Sequence, residues 1–184
     1  MPVPDFCTKM TQGLLDPLES LDTSEKILLR KPTTLDGASV HHLVATCKPL
    51  DVNSLYCNIL QCHHFSDTAI LAELNGKTVG FISGYRLPEQ PDTLFVWQVA
   101  VAPDVRGSGL ATRMLSSLIK RQQDDIRFLH TSITESNAAS WNTFRRVAEQ
   151  FDAPFNSDVL FERDQHLDGK HDTEFLVQIG PFNF

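Results

Sequence analysis

A glycine-bearing loop between a strand-like and a helix-like segment is the part of this sequence best suited to chemistry. The hydrophobic run at residues 95–101 predicts a buried strand, which Pro103 ends because proline cannot donate to a sheet ladder. Arg106-Gly107-Ser108-Gly109 follows, and a helical pattern begins at Leu110. A helix start offers unpartnered amides and a positive dipole end, and glycine permits close approach of a bulky group. The segment therefore predicts a phosphate site.

The loop lacks the glycine patterns of nucleotide P-loops and dinucleotide folds. Arg106-x-x-Gly109-x-Ala111, placed after Val99-x-Val101-x-Pro, instead resembles the acetyl-CoA pyrophosphate loop of the GNAT acyltransferase superfamily. An ordinary strand-to-helix connection is the alternative. The resemblance implies that backbone groups at Val99 and Val101 bind the pantetheine arm of acetyl-CoA. It also implies that the pyrophosphate is bound by the amides of Arg106, Gly107, Ser108, Gly109, Leu110 and Ala111.

A second segment, residues 137–144, resembles the other cofactor motif of that superfamily, Asn-x-x-Ala-x-x-Leu-Tyr. The resemblance assigns Asn137 to the cofactor, although asparagine at this position is also a good helix cap. Phe144 stands where the superfamily often has a tyrosine that protonates the departing thiolate. Because phenylalanine cannot donate a proton, another donor or water must do so here.

Composition limits the class of protein. The chain has 184 residues, 41% of them hydrophobic, and a net charge of −7. This charge argues against nucleic acid or an anionic membrane as partner and suits a small cationic substrate. With no signal peptide and no apolar run of about 20 residues, we expect a cytoplasmic protein. We expect its cysteines, Cys7, Cys47, Cys57 and Cys62, to be free thiols, and their spacing with His63 and His64 fits no usual zinc site, so no metal is expected.

The order of predicted elements indicates one α/β domain. Residues 1–24 have no periodicity and predict a flexible tail, and residues 25–184 predict a single acetyltransferase domain. Asp36 and Ser54 are expected to cap two helices, the second with Leu55, Ile59 and Leu60 in its apolar stripe. Asn75-Gly76 predicts a hairpin, Pro88 and Pro91 a loop, and later strands are expected at residues 128–133, 159–161 and 175–179. This order matches the GNAT acyltransferase fold, a mixed central sheet with splayed middle strands flanked by helices.

A narrower resemblance covers most of the chain beyond the tail. Residues 50–57, 92–101 and 136–141 are similar to the diaminobutyrate acetyltransferase family of ectoine biosynthesis, and the spacing between them fits as well. Membership implies transfer of acetyl from acetyl-CoA to the side-chain (γ) amine of L-2,4-diaminobutyrate, a step toward a compatible solute. It also implies a homodimer.

By the same resemblance, the substrate pocket is lined by Asp51, Tyr56, Trp97, His171 and Glu174. We expect Tyr56 and Glu174 to be catalytic, by positioning the amine or moving its proton. The alternatives are a helix or turn cap for Asp51, core aromatics for Tyr56 and Trp97, and exposed loop charges for the other two. Acetylation of a polyamine or a protein N-terminus, or a non-catalytic acetyl-CoA sensor, are the competing functions.

Overall fold

A mixed β-sheet organises the part of the chain that the structure, a computed structural model, describes, residues 27–184. The strands are β1 (Leu28–Arg30), β2 (Ile70–Leu74), β3 (Lys77–Leu87), β4 (Gln90–Val101), β5 (Phe128–Thr134), β6 (Phe155–Phe161) and β7 (Glu174–Ile179). Within that range they form one seven-stranded sheet in the order β1-β2-β3-β4-β5-β7-β6. Only the β4–β5 pair is parallel. The expected α/β fold with a mixed sheet is confirmed, whereas the tail expected at residues 1–24 lies outside the described residues.

Helices cover both faces of the sheet. They are α1 (Gly37–Thr46), α2 (Leu55–His64), α3 (Leu110–Arg121), α4 (Ala138–Gln150) and the short α5 (Arg163–His166). Val40 and Val44 of α1 share a buried cluster with Phe81 of β3 on one face. Met114 of α3 and Val147 of α4 belong to the larger cluster on the other face. The sheet is therefore a layer between two apolar cores, as expected when alternate strand residues point to opposite sides.

Two of the three expected helix caps are present. The Ser54 hydroxyl accepts a hydrogen bond from the Cys57 amide (3.1 Å), and the Asn137 side chain accepts one from the Ser140 amide (3.1 Å). Asp36 also precedes its helix, but its carboxylate makes no hydrogen bond to the first amides of α1 and accepts one from the Thr33 amide of the preceding turn (2.7 Å). It also accepts two hydrogen bonds from the Arg30 guanidinium, at 2.7 and 2.8 Å. This pairing lowers the pKa of Asp36 to about 2.

Three local predictions were wrong. In α2 Leu55 is exposed and Ile59 and Leu60 are only half-buried, whereas Asn58, Gln61 and Cys62 are buried, because this helix turns a partly polar face toward α1. Pro91 lies inside β4, which begins at Gln90 and not at residue 95. The sixth strand begins at Phe155 and not at residue 159, because its first residues also pair with β7 in an antiparallel ladder.

The middle strands part after a short parallel pairing. The registered pairs of β4 with β5 run only from Thr93 opposite Phe128 to Val96 opposite Thr131. On the other edge of β4, Ser83 faces Gln98 and Gly84 faces Val96, so Trp97 is an extra residue in a β-bulge. A bulge bends its strand and increases the local twist. It therefore turns the end of β4 away from β5 and opens the sheet.

Candidate active site

A cleft of about 430 Å³ lies beside the free end of β4. Its walls come from β4, from the loop and first turn of α3, from the first turns of α4 and from the segment that follows α1. All of the predicted cofactor residues except one line it: Val99, Val101, Arg106, Gly107, Gly109, Leu110, Ala111, Asn137 and Phe144. The exception, Ser108, lines a neighbouring groove between α3 and α4. Their roles in binding stay a prediction.

The end of β4 turns backbone groups toward this cleft. Ala102 donates its amide to the Val79 carbonyl on the β3 side. Because successive residues of a strand point their backbone groups in opposite directions, Val99 and Val101 direct theirs away from β3. The Val101 carbonyl accordingly accepts from the Arg106 Nε (3.0 Å) and from the Cys47 thiol (3.3 Å). An edge of this kind can bind an extended arm that carries amide groups.

The loop before α3 has the shape of an anion site. Gly107 and Gly109 adopt positive φ values of 77° and 76°, and Gly109 stands at the N-cap without a side-chain hydrogen bond. No atom lies within 4 Å of where a Cβ at Gly109 would be, so the approach to the helix start is open. The Ser108 hydroxyl donates to the Val105 carbonyl (2.7 Å), which fixes the loop. The free first amides of α3 and its dipole thus favour a phosphate group here.

The second cofactor segment serves its helix as well as the cleft. Asn137 both caps α4 and lines the cleft, so the two explanations for this residue hold together. Phe144 also lines the cleft but is almost fully buried in the core. Its ring offers no acidic hydrogen, so any proton for a departing thiolate has to come from elsewhere.

Three residues expected in the substrate pocket lie at the bulge of β4, between α1 and α2, or in the first turn of α2. Asp51 is exposed and lies between α1 and α2, and Tyr56 lies in the first turn of α2. Tyr56 is 69% exposed and Trp97, the bulged residue, is 52% exposed. The alternative of core aromatics is therefore wrong for both. Ser54 caps α2, so Asp51 is not the cap of that helix, and the alternative of a turn cap for Asp51 stays open.

The other two expected pocket residues lie on the far side of the splay. Glu174 is the first residue of β7 and pairs with Thr134 at the end of β5. His171 is exposed in the segment between α5 and β7. Within residues 27–184, no hydrogen bond or ion pair joins either residue to Asp51 or Tyr56. None of the five lines the cleft of the cofactor residues, and Trp97 lines a separate cavity with Phe65 and Tyr85. That the five form one substrate pocket stays a prediction.

Gln98, which the sequence did not single out, contacts the segment that carries Asp51. It follows the bulge and is only 7% exposed. Its Nε2 donates to the Asp51 carbonyl (2.8 Å), and its Oε1 accepts from the Asn53 Nδ2 (3.3 Å). The available signal was a polar amide inside an otherwise apolar strand, Phe95-Val96-Trp97-Gln98-Val99. A buried amide of this kind requires partners.

The described part of the chain offers few other reactive groups. It contains no cluster of three His, Cys, Asp or Glu residues that could hold a metal. Cys47, Cys57 and Cys62 are free, and burial raises the pKa of the Cys62 thiol to about 12. None of the helices there combines the length and apolar character needed to cross a membrane.

Comparison with known proteins agrees with this geometry. The model of the acetyltransferase (GNAT) family matches residues 38–148. An L-2,4-diaminobutyric acid acetyltransferase from Methylotuvimicrobium alcaliphilum is 50% identical over 157 residues, which is 85% of this chain and 91% of that protein. One from Chromohalobacter salexigens is 48% identical over 158 residues, 85% of this chain and 82% of that protein.

Among solved structures, a diaminobutyrate acetyltransferase from Paenibacillus lautus is similar with a TM-score of 0.81 and 40% identity. The match covers 87% of this chain and 98% of that one. That protein was solved in complex with its substrate, L-2,4-diaminobutyric acid, and coenzyme A.

Proposed function

Because this chain belongs to the GNAT family of acetyltransferases, and within it to the L-2,4-diaminobutyric acid acetyltransferases, we propose that it acetylates diaminobutyrate. Acetyl-CoA is the donor, and the product is the Nγ-acetyl derivative, a step of ectoine biosynthesis. The single observation that carries the proposal is the cleft between β4 and the start of α3. A free strand edge and an uncapped helix start there suit the two chemically different parts of CoA, the pantetheine arm and the pyrophosphate.

The reaction joins the amine nitrogen to the thioester carbonyl carbon and breaks the carbon–sulfur bond. The nitrogen loses a proton in the process, and the thiolate leaving group takes one up. An alkyl ammonium has no lone pair and an ordinary pKa near 10, so the enzyme must bind or make the neutral amine. As negative charge develops on the carbonyl oxygen, the amide of Val99, which faces the cleft, is suited to donate to it.

We propose that Tyr56 and Glu174 handle the proton transfers of the reaction. Glu174 can accept a proton from the amine, directly or through water. Tyr56 is exposed in the first turn of α2, and its hydroxyl can position the amine or a relaying water. Since Phe144 cannot donate, Tyr56 or water is also the source that we propose for the thiolate proton.

Charge complementarity supports a diamino acid as the acceptor. The substrate carries two ammonium groups and one carboxylate, so its pocket requires acids and at least one donor. Asp51 and Glu174 supply the acids, His171 the donor, and Trp97 a flat apolar wall. The exposure of the Asp51 carboxylate, which accepts no hydrogen bond from the described residues, leaves it available to an ammonium.

Three wider features belong to the same proposal. Residues 25–184 act as one acetyltransferase domain, a view supported by the single sheet from β1 to β7. The enzyme is a homodimer, for which the exposed Val159 and Phe161 on the edge strand β6 offer apolar surface. It works in the cytoplasm, in keeping with the free thiols.

Product analysis tests the proposal. Purified protein is incubated with acetyl-CoA and one acceptor in each of four separate reactions. The acceptors are diaminobutyrate, ornithine, spermidine and a short peptide with a free N-terminus. Thiol release measures turnover, and NMR locates the acetyl group. We expect turnover chiefly with diaminobutyrate and acetylation at the γ-nitrogen, because the α-ammonium and the carboxylate serve as anchors. Acetylation mainly at the α-nitrogen, preference for another amine, or CoA binding without turnover would each contradict it.

A further inference from the structure

The segment between α1 and α2 has few bonds of its own. Residues 51–54 belong to no helix or strand, yet this segment carries Asp51 and leads into the turn that carries Tyr56. Among the described residues, a single backbone hydrogen bond has both partners in the segment at residues 47–54. It runs from the Leu50 amide to the Cys47 carbonyl (3.0 Å). Surface connections are more mobile than the elements they join, so a segment with so few internal hydrogen bonds depends on contacts from the rest of the fold.

Gln98 supplies that support at the middle of the segment. Its amide nitrogen donates to the main-chain carbonyl of Asp51, and its amide oxygen accepts from the Asn53 side chain. Cys47 adds a contact at the beginning of the segment, through its thiol and the Val101 carbonyl. Both connections end on the same free stretch of β4, directly after the bulge at Trp97.

We propose that Gln98 is a positioning residue for acceptor binding, acting through Asp51. Its hydrogen bond fixes the position of the Asp51 main chain relative to β4, and therefore the position of the carboxylate that binds a substrate ammonium. The inference rests on the proposed function, and it adds a residue and a route to that site. We expect CoA binding to change little, because the phosphate loop and the first turn of α3 are held by other contacts, and the part of the segment that lines the cleft, residues 47–50, precedes the residues that Gln98 holds.

The geometry argues for positioning and not for contact with substrate. Both ends of the Gln98 amide are engaged by the segment, and the side chain is almost wholly buried. A glutamine used in this way contributes little to an ammonium directly. Since catalysis depends on placement to within a fraction of an ångström, loss of the support should weaken substrate use while the fold persists.

Two substitutions test the proposal. Gln98→Met keeps the length and removes both hydrogen bonds, and Asn53→Ala removes one of them at a less buried position. We expect Gln98→Met to raise KM for diaminobutyrate about ten-fold or more and Asn53→Ala by about two- to five-fold. The Kd of CoA should stay within about two-fold in both, and amide exchange of residues 50–54 should quicken. The same change at exposed Gln123, Gln123→Met, controls for composition.

A double-mutant cycle identifies the route. If Gln98 acts through Asp51, Gln98→Met should add little to the defect of Asp51→Asn, whereas independent roles give additive losses. If the wild-type protein acetylates diaminobutyrate, this inference alone would be overturned by either of two results. One is additive losses in the double variant, and the other is an unchanged KM in both Gln98→Met and Asn53→Ala. A wild-type protein that does not acetylate diaminobutyrate would overturn the proposed function, and hydrogen exchange would then still report whether Gln98 holds the segment.

Discussion

Replacement of Gly109 by aspartate or asparagine separates the charge requirement of the phosphate loop from its shape requirement. Gly109 lies at φ = 76° before α3, with no atom within 4 Å of a Cβ placed there. The two new side chains have the same size, and both residue types adopt the left-handed region more readily than other non-glycine residues. They differ chiefly in charge, so Gly109→Asn is the matched control for Gly109→Asp.

The magnitude follows from Coulomb's law. A carboxylate about 4 Å from a phosphate oxygen, partly screened, is repelled by roughly 1–4 kcal/mol. This corresponds to about a five- to thousand-fold difference in Kd for CoA between the two variants. The helix itself responds in the opposite direction, since a negative charge near its N-terminus stabilises it by about 0.3–1 kcal/mol. We therefore expect Gly109→Asp to be at least as stable as Gly109→Asn and yet to bind CoA more weakly.

Calorimetry with CoA and thermal unfolding of both variants measure the two quantities. Raising the salt concentration should narrow the gap in Kd, because screening weakens the repulsion. A defect in folding lowers Tm and affinity together, so it cannot imitate the opposed pattern. Equal CoA affinities for the two variants would refute the assignment of this loop to the pyrophosphate.

Three further predictions concern the acceptor side and the fold. Asp51→Asn or Glu174→Gln should lower kcat/KM for diaminobutyrate about ten- to a hundred-fold with little change in CoA affinity, and wild-type kinetics in both would exclude them from the site. Tyr56→Phe should lower mainly kcat, on the order of 10²-fold if the hydroxyl moves a proton; an unchanged pH–rate profile into the alkaline range would leave it without that role. The pairing with Arg30 lowers the pKa of Asp36 to about 2, so its stabilisation is present above about pH 4 and is lost as pH falls toward 2. The free energy of unfolding of Asp36→Asn should therefore lack this pH dependence, which amounts to about 2 kcal/mol between about pH 4 and pH 2. An identical loss of stability in acid for the variant and the wild type would refute the prediction.

Features that depend on neighbouring residues could be predicted from the sequence. Asn75 and Gly76 have φ values of 51° and 75°, as their hairpin turn requires, and Ser54 and Asn137 cap their helices. The glycine loop before α3 is of the same kind. Each of these is determined by a few adjacent residues, because backbone preference and nearby hydrogen bonds are enough to specify it.

Features that join distant segments were decided only by the tertiary structure. Asp36 precedes its helix as expected, but a guanidinium from β1 takes its carboxylate. Gln98 meets the Asp51 carbonyl 47 residues away, and Trp97 becomes a bulge only because Ser83 and Gly84 pair with the residues on either side of it. The sequence by itself determined the chemistry available at the loop and the order of the elements. Where β4 separates from β5, and therefore where that chemistry can act, was determined by strand register and by long-range side-chain partners. Register and partners depend on which remote groups compete for each hydrogen-bond donor and acceptor, and adjacent residues alone do not specify them.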